Sequence, residues 1–252
     1  MKIHALWCHP RSVSTAFERI MRERGDLNVL HEPFMYHHYL NTTDRLFPGF
    51  TPEEGHPTTY DAIRDMIGAE GNNGGVFFKD MAYYVADTLP GDPAFAQRMS
   101  HAFLLRDPVE AAVSYAKRDP GFTLLELGHE AQHRLYCALV DQGHAPLVMT
   151  SDQLRTDPQA TLRRYWAHVG LPYLAHAFSW DNKVPAHWES VASWHSEVLE
   201  SGGIKAPETQ DAQAKLEALG APYTQYAAHH APFYDRMRAI AEAQGMEHAR
   251  AH

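Results

Sequence analysis

Cysteine is scarce. The 252-residue chain has two, Cys8 and Cys137. That excludes a disulfide framework, and both read as reduced, buried thiols in a reducing compartment. Long apolar runs are also missing at the start. The run within Met1–His9 is far shorter than a signal-peptide core or a membrane span, so a cytoplasmic protein that does not act in a membrane is the expectation. Positive charge is in deficit: 22 Lys and Arg stand against 31 Asp and Glu, a formal net charge of −9. A general nucleic-acid footprint needs a basic excess on one face, so no nucleic-acid partner is expected. A few placed arginines and lysines can still build a local positive pocket for an anionic ligand. Histidine is plentiful, at 18, yet no HExxH or CxxC spacing occurs. The adjacent pairs His37-His38 and His229-His230 do not project onto one helix face. No metal is therefore expected. Internal repeats, low-complexity tracts and linkers are absent as well.

What remains is a chain of ordinary apolar content, 44%, in which short apolar runs alternate with helical patterns. Ile3-His4-Ala5-Leu6-Trp7-Cys8 reads as a strand. His9-Pro10-Arg11-Ser12 is a polar turn, and a helix follows from Ser14 to about Arg24, with Phe17, Ile20 and Met21 on one face and Gly25 to stop it. Asn28–His31 reads as a strand, Thr59–Glu70 as a helix, and Asn72-Asn73-Gly74-Gly75 as a turn into the strand Val76-Phe77-Phe78. His101–Leu105 is a further strand. Asp107 can cap a helix that has Pro108 at its first position. One long helix is expected over about Thr123–Gln142, a strand over Pro146–Thr150, and a helix from Asp157-Pro158 to about Val169. Two more helices are expected near Glu208–Leu219 and Tyr223–Gly245. Such alternation predicts an α/β fold, a parallel sheet covered by helices on both faces. Ligands of such sheets sit at the carboxyl ends of the strands, where Arg11, Glu32, Lys79 and Arg106 fall.

The first of these strand ends carries the sharpest signal. A strand that turns directly into a helix presents unpaired N–H groups and a partial positive charge, which together suit an anion. Ser12, Ser14 and Thr15 add hydroxyls and Arg11 a fixed cation. The segment lacks both glycines and the lysine of GxxxxGK[ST], which argues against an ATP or GTP user. Pro10-Arg11-Ser12-Val13-Ser14-Thr15 resembles the Pro-Arg-Ser-Gly-Ser/Thr-Thr loop of sulfotransferases that use 3′-phosphoadenosine-5′-phosphosulfate (PAPS), with Val13 where that pattern usually has glycine. Arg106-Asp107-Pro108-Val109-Glu110-Ala111-Ala112-Val113-Ser114 is similar to the strand-end arginine and helix serine that hold the donor's 3′-phosphate in that family. An arginine fork and a hydroxyl both donate to phosphate oxygens.

The resemblance implies further expectations. The fold would be three-layered and P-loop NTPase-like, with a central parallel sheet flanked by helices, of sulfotransferase type. Residues 1–252 would form a single domain, with a core over about 1–172 and a loop-rich, helical cap over about 173–252. The donor would be PAPS, with no metal ion. Arg11, Ser12, Val13, Ser14, Thr15, Arg106, Ser114 and Lys205 would bind it. Glu32, in Leu30-His31-Glu32-Pro33-Phe34, occupies the place of the base that takes the acceptor's proton. His31, His37 and His38 compete for that role, since histidine titrates near neutral pH. Lys79 and Arg11 would steady charge as the bond to sulfur breaks, and Asp80 would orient Lys79 or a histidine. His31, His37, His38 and Tyr83 would line the pocket of a small-molecule acceptor. Trp188, Trp194 and His195 resemble a segment that closes over the nucleotide. Oligomeric state is left open, a homodimer included. A P-loop nucleotide kinase and a non-catalytic nucleotide-binding module share the architecture and stand as alternatives. The kinase requires a Walker lysine and a magnesium-holding Asp that are not in place. The module requires Glu32 and Lys79 not to face one pocket.

Overall fold

Six consecutive residues with buried side chains, Ile3–Cys8, form the first strand, β1. A strand buried along its whole length has to be covered on both faces. In the computed structural model, which describes residues 2–180 and 211–251, β1 holds the middle of a five-stranded sheet. Its neighbours are β2 (Asn28–His31), β3 (Val76–Met81), β4 (Met99–Leu105) and β5 (Leu147–Thr150), in the order β2-β3-β1-β4-β5. Every adjacent pair is parallel. The helices are α1 (Ser14–Glu23), α2 (Met35–His37), α3 (Tyr60–Asn72), α4 (Pro93–Ala96), α5 (Pro108–Ala116), α6 (Leu124–Leu127), α7 (His129–Asp141), α8 (Ser151–Thr156), α9 (Pro158–His168), α10 (Ala212–Leu219) and α11 (Tyr223–Ala251).

Alternation of side chains along the strands sorts the core into two layers. On one face Phe17 of α1 stacks on Phe77 at 6.0 Å and meets Tyr165 of α9 edge-on at 4.9 Å. On the other face Trp7 meets Phe78 at 5.5 Å, and Phe103 meets Tyr136 of α7 at 5.7 Å. Lys79 shares the side of Phe77, toward α1. Asp80 shares the side of Phe78.

The starts and stops follow local chemistry. Asp107 accepts from the N–H groups of Val109 and Glu110, with Pro108 as the first residue of α5. Asp157 caps α9 in the same way, and Gly25 takes φ 73° just past α1. Several expected boundaries move: β4 starts at Met99, before His101, α11 runs past Gly245 to Ala251, and two further changes bear on the site. The stretch expected as one helix over Thr123–Gln142 is two. Thr123 and Glu126 form a capping box that opens α6, and Gly128, at φ 86°, ends it before α7 begins. β3 does not stop at Phe78 but runs on to Met81, because β1 pairs with it up to Cys8 opposite Met81. Cys8 is buried as expected. Cys137 is exposed instead, on α7, and both are free thiols. Among the described residues no helix is long and apolar enough to cross a membrane.

The topology places the site. From β1 the chain runs to β2 and β3 on one side, then crosses to β4 and β5 on the other. The strand order therefore reverses between β1 and β4. The carboxyl ends of strands at such a reversal are where open α/β sheets take their ligands. Arg11 follows β1 and Arg106 follows β4.

Candidate active site

The turn from β1 into α1 is backbone-strained. Arg11 has φ 67° and Val13 φ 69°, both left-handed. A β-branched residue in that region costs on the order of 1–3 kcal/mol. The loop thus keeps a glycine-like conformation with a valine in place. Val13 caps α1 without a side-chain hydrogen bond, and the N–H groups that open a helix suit an anion. The Ser12 hydroxyl is fully buried and has no hydrogen-bond partner among the described residues. A desolvated hydroxyl left so is costly, and an anionic ligand would supply its acceptor. Ser14 is buried and Thr15 half-buried in the first turn of α1.

The second segment is tied directly to the first. Arg11 Nε donates to Ser114 Oγ at 2.9 Å, across 103 residues. Arg106 Nη1 donates to the Arg11 carbonyl at 2.9 Å, and its Nε to Glu110 Oε2 at 3.0 Å. Glu110 also lies 3.7 Å from Arg155 of α8. Arg11, Arg106, Ser114 and the loop are therefore one hydrogen-bonded unit at the carboxyl ends of β1 and β4.

The third group lies at the ends of β2 and β3. Glu32 also takes a left-handed backbone, φ 43°, and its N–H donates to the Lys79 carbonyl at 3.0 Å. Its carboxylate accepts from the Lys79 ammonium through Oε1 and from the Tyr84 hydroxyl at 3.1 Å through Oε2. Lys79 was expected to follow its strand and emerge at the sheet edge. It lies inside β3 at 1% exposure instead, because the strand continues past it. Burial pushes the Glu32 carboxyl up, but the Lys79 ammonium and His31 outweigh it and hold it below the usual carboxylate range. Burial likewise pushes Lys79 down, and the carboxylates of Glu32 and Glu18 overcome this and hold it above the usual lysine value. Asp80 does not orient Lys79 or a histidine: its Oδ2 accepts from the Phe34 N–H at 3.1 Å. Burial, reinforced by Glu32, pushes its carboxyl well up.

His31 belongs to this cluster. Its Nδ1 lies 2.6 Å from Glu18 Oε2 and its Nε2 3.8 Å from Glu32 Oε1. Glu18, fully buried on α1, also accepts two hydrogen bonds from Arg22, at 2.9 and 2.8 Å. His31 and Arg22 overcome the desolvation of Glu18, so its carboxyl is lowered. His38 is buried between the rings of Tyr39, Tyr83 and Tyr84, and burial lowers it to about 4, so it is neutral at pH 7. Tyr83 shares a 3.2 Å contact with the Tyr39 hydroxyl. His37 turns its ring edge to Tyr60. Lys205, Trp188, Trp194 and His195 lie outside the described residues.

Glu18 and the His9–His129 pair had no place in the sequence reading. Glu18 sits four residues after Ser14 and four before Arg22, a spacing that marks the sheet-facing side of α1 and an ion pair on it. Nothing local marks the two histidines, whose partners lie far away in the chain. Among the described residues no group of three His, Cys, Asp or Glu could hold a metal ion.

The family model described as Sulfotransferase domain matches residues 1–241. Two Arabidopsis thaliana proteins are similar in sequence. Branched-chain-amino-acid aminotransferase-like protein 1 is 28% identical over 82% of this chain, and protein 2 of that name is 27% identical over 82%. The chain spans 37% and 36% of the lengths of these relatives. The fold is similar to that of the sulfotransferase domain from the curacin biosynthetic pathway, with a TM-score of 0.52 at 13% identity, covering 90% of this chain and 96% of that one. It is also similar to a sulfotransferase from Alicyclobacillus acidocaldarius, with a TM-score of 0.51 at 14% identity, covering 94% and 95%.

Proposed function

Because the chain belongs to the sulfotransferase domain family, we propose that it moves a sulfuryl group from PAPS to a hydroxyl or amine of a small-molecule acceptor. The observation that carries this reading is the Arg11–Ser114 hydrogen bond. It joins a helix-start anion loop to a second arginine-serine segment, and the loop holds a buried hydroxyl that lacks a partner among the described residues. The joined segments thus offer two anion-binding ends, as a nucleotide with phosphates at both 5′ and 3′ positions requires.

The roles follow from chemistry. The loop N–H groups, Ser12, Thr15 and Arg11 hold the 5′-phosphosulfate, and Arg106 with Ser114 takes the 3′-phosphate. The acceptor oxygen attacks sulfur from the side opposite the phosphate. As the new S–O bond forms, the bond from sulfur to the bridging oxygen breaks, and that oxygen leaves on the nucleotide with the electron pair. The acceptor's proton passes to Glu32. A carboxylate held down by Lys79 is ionised at neutral pH but weakly basic. It accepts a proton late, once bond formation has made the acceptor hydroxyl acidic, which suits a loose transfer in which positioning and charge stabilisation do most of the work. Lys79 and Tyr84 fix the carboxylate in place. The Glu18–His31 contact favours a second assignment, in which Glu18 orients His31 and His31 takes the proton.

Thermal unfolding with added nucleotide tests the reading. A ligand that binds only the native state raises the apparent stability. Adenosine 3′,5′-bisphosphate (PAP) without magnesium should raise Tm, and ATP with magnesium should not. Arg106→Ala should abolish the PAP shift. The opposite ligand order would favour a kinase.

A further inference from the structure

A pair of histidines outside the donor contacts grips the backbone of one residue of the site on both sides of its Cα. His9 directly follows β1 and His129 begins α7, and both are buried. Their rings lie 4.1 Å apart, tilted by 37°. His9 Nε2 accepts from the Arg106 N–H at 2.9 Å, while its Nδ1 is 2.9 Å from the Pro10 carbonyl. A carbonyl can only accept, so Nδ1 carries the proton and Nε2 is bare. His129 Nε2 is 2.7 Å from the Arg106 carbonyl, so this nitrogen carries the proton. The two imidazoles thus hold opposite tautomers and secure the N–H and the C=O of the same residue. A third ring, His230, backs His129 at 5.4 Å and is itself fixed by the Leu124 carbonyl and the Glu130 N–H. Gly128 permits the approach, since a Cβ there would lie 2.8 Å from the His9 Cβ.

We propose that His9 and His129 are positioning residues that set the Arg106 backbone, and through it the Arg106 guanidinium, against the phosphosulfate loop, so that the site prefers a nucleotide bearing a 3′-phosphate. This rests on the PAPS reading above. The clamp is built for that task. His9 also holds the Pro10 carbonyl, one residue before Arg11, and Arg106 holds the Arg11 carbonyl. The strand end and the loop therefore move together or not at all. Both rings are held neutral. Burial lowers His9 well below its usual value, with His129, Arg106 and His230 facing it, and burial lowers His129 to about 3. A neutral ring can accept at one nitrogen and donate at the other, which the clamp needs at His9 and an imidazolium cannot provide; His129 is asked only to donate.

The test compares PAP with AMP, which lacks the 3′-phosphate, by titration calorimetry on the full chain. His9→Phe keeps the ring volume but leaves the Arg106 N–H buried without an acceptor. It should weaken PAP by roughly tenfold to a hundredfold and AMP by much less, so the preference for PAP collapses. His9→Gln, with an oxygen near the place of Nε2, should restore most of that preference. His129→Leu should lower it and His129→Gln restore it. Equal losses for both nucleotides, or an unchanged preference in a folded His9→Phe, would overturn the clamp alone. Failure of the unmodified chain to bind either nucleotide overturns the donor reading and the clamp with it. Should the Phe variant not fold, nitrogen-15 NMR of the unmodified imidazoles decides. The proposal requires the Nδ1–H tautomer at His9 and the Nε2–H tautomer at His129, and the reverse at either ring refutes it.

Discussion

Replacing Lys79 by methionine isolates the buried charge pair at the centre of the site. Lys79 is 1% exposed and Glu32 7%, so neither charge reaches water when the other is removed. Lys79→Met leaves the Glu32 carboxylate with the Tyr84 hydroxyl at 3.1 Å and His31 at 3.8 Å as its remaining polar neighbours of this group. Breaking a buried pair on one side costs about 3–5 kcal/mol, because an uncompensated charge stays behind. For a chain of this size each kcal/mol moves Tm by about 2–4 °C, so the fall should be roughly 6–20 °C. Thermal unfolding followed by far-UV circular dichroism measures it, and urea unfolding gives the free-energy loss. The double variant Glu32→Leu/Lys79→Met removes both charges and should recover most of the loss. The pH dependence has a definite sign. Glu32 is lowered, so its contribution is complete above the unfolded carboxyl value of about 4.3 and is lost as pH falls through the folded value. Lys79 is raised, so its contribution is complete below about 10.4 and is lost as pH rises through the folded value. In Lys79→Met burial acts on Glu32 without the opposing ammonium and pushes its carboxyl up, so the gap to wild type should be widest above that raised value and below about pH 10, and should narrow as pH falls through the raised value. A Lys79→Met protein within about 1 kcal/mol of wild type, or a double variant as unstable as the single, would refute the reasoning.

Gly128→Ala should destabilise by about 2–3 kcal/mol, since the residue sits at φ 86° and the new Cβ would press on the His9 Cβ at 2.8 Å; an unchanged urea midpoint would show that α7 can shift away without loss. The two thiols should differ sharply. Cys8 is buried, and its thiol is pushed up to about 12 by that burial, whereas Cys137 is exposed. A maleimide should therefore label one thiol in the native protein, at Cys137, and two in denaturant, as counted by intact mass. Rapid native labelling at Cys8 would contradict the packing around β1.

The donor-loop side of the site was legible because its signals are local. A strand turning into a helix at Cys8–Ser14, the Asp107-Pro108 helix start and the strand-end positions of Glu32 and Arg106 are written in neighbouring residues. Chain order alone could place them at one edge of a parallel sheet. The extent of β3 was not legible. Whether Lys79 emerges at a strand end or stays inside depends on pairing with Cys8 and Leu6 of β1, not on the residues around it. The break at Gly128 was misread for a similar reason. Isolated glycines are tolerated in helices, and only the packed chain shows this one in a left-handed turn with His9 too close for a Cβ.

By itself the sequence determined the parallel α/β class, the helix-start anion loop and the second arginine-serine segment, because caps, turns and apolar periodicity act over a few residues. Tertiary structure alone decided which charges meet. Glu18 and His31 are 13 residues apart, Lys79 and Glu32 are 47 apart, and His9 meets Arg106 across 97. Desolvation then decides how such groups titrate and which tautomers they hold, and burial is a property of the packed chain as a whole.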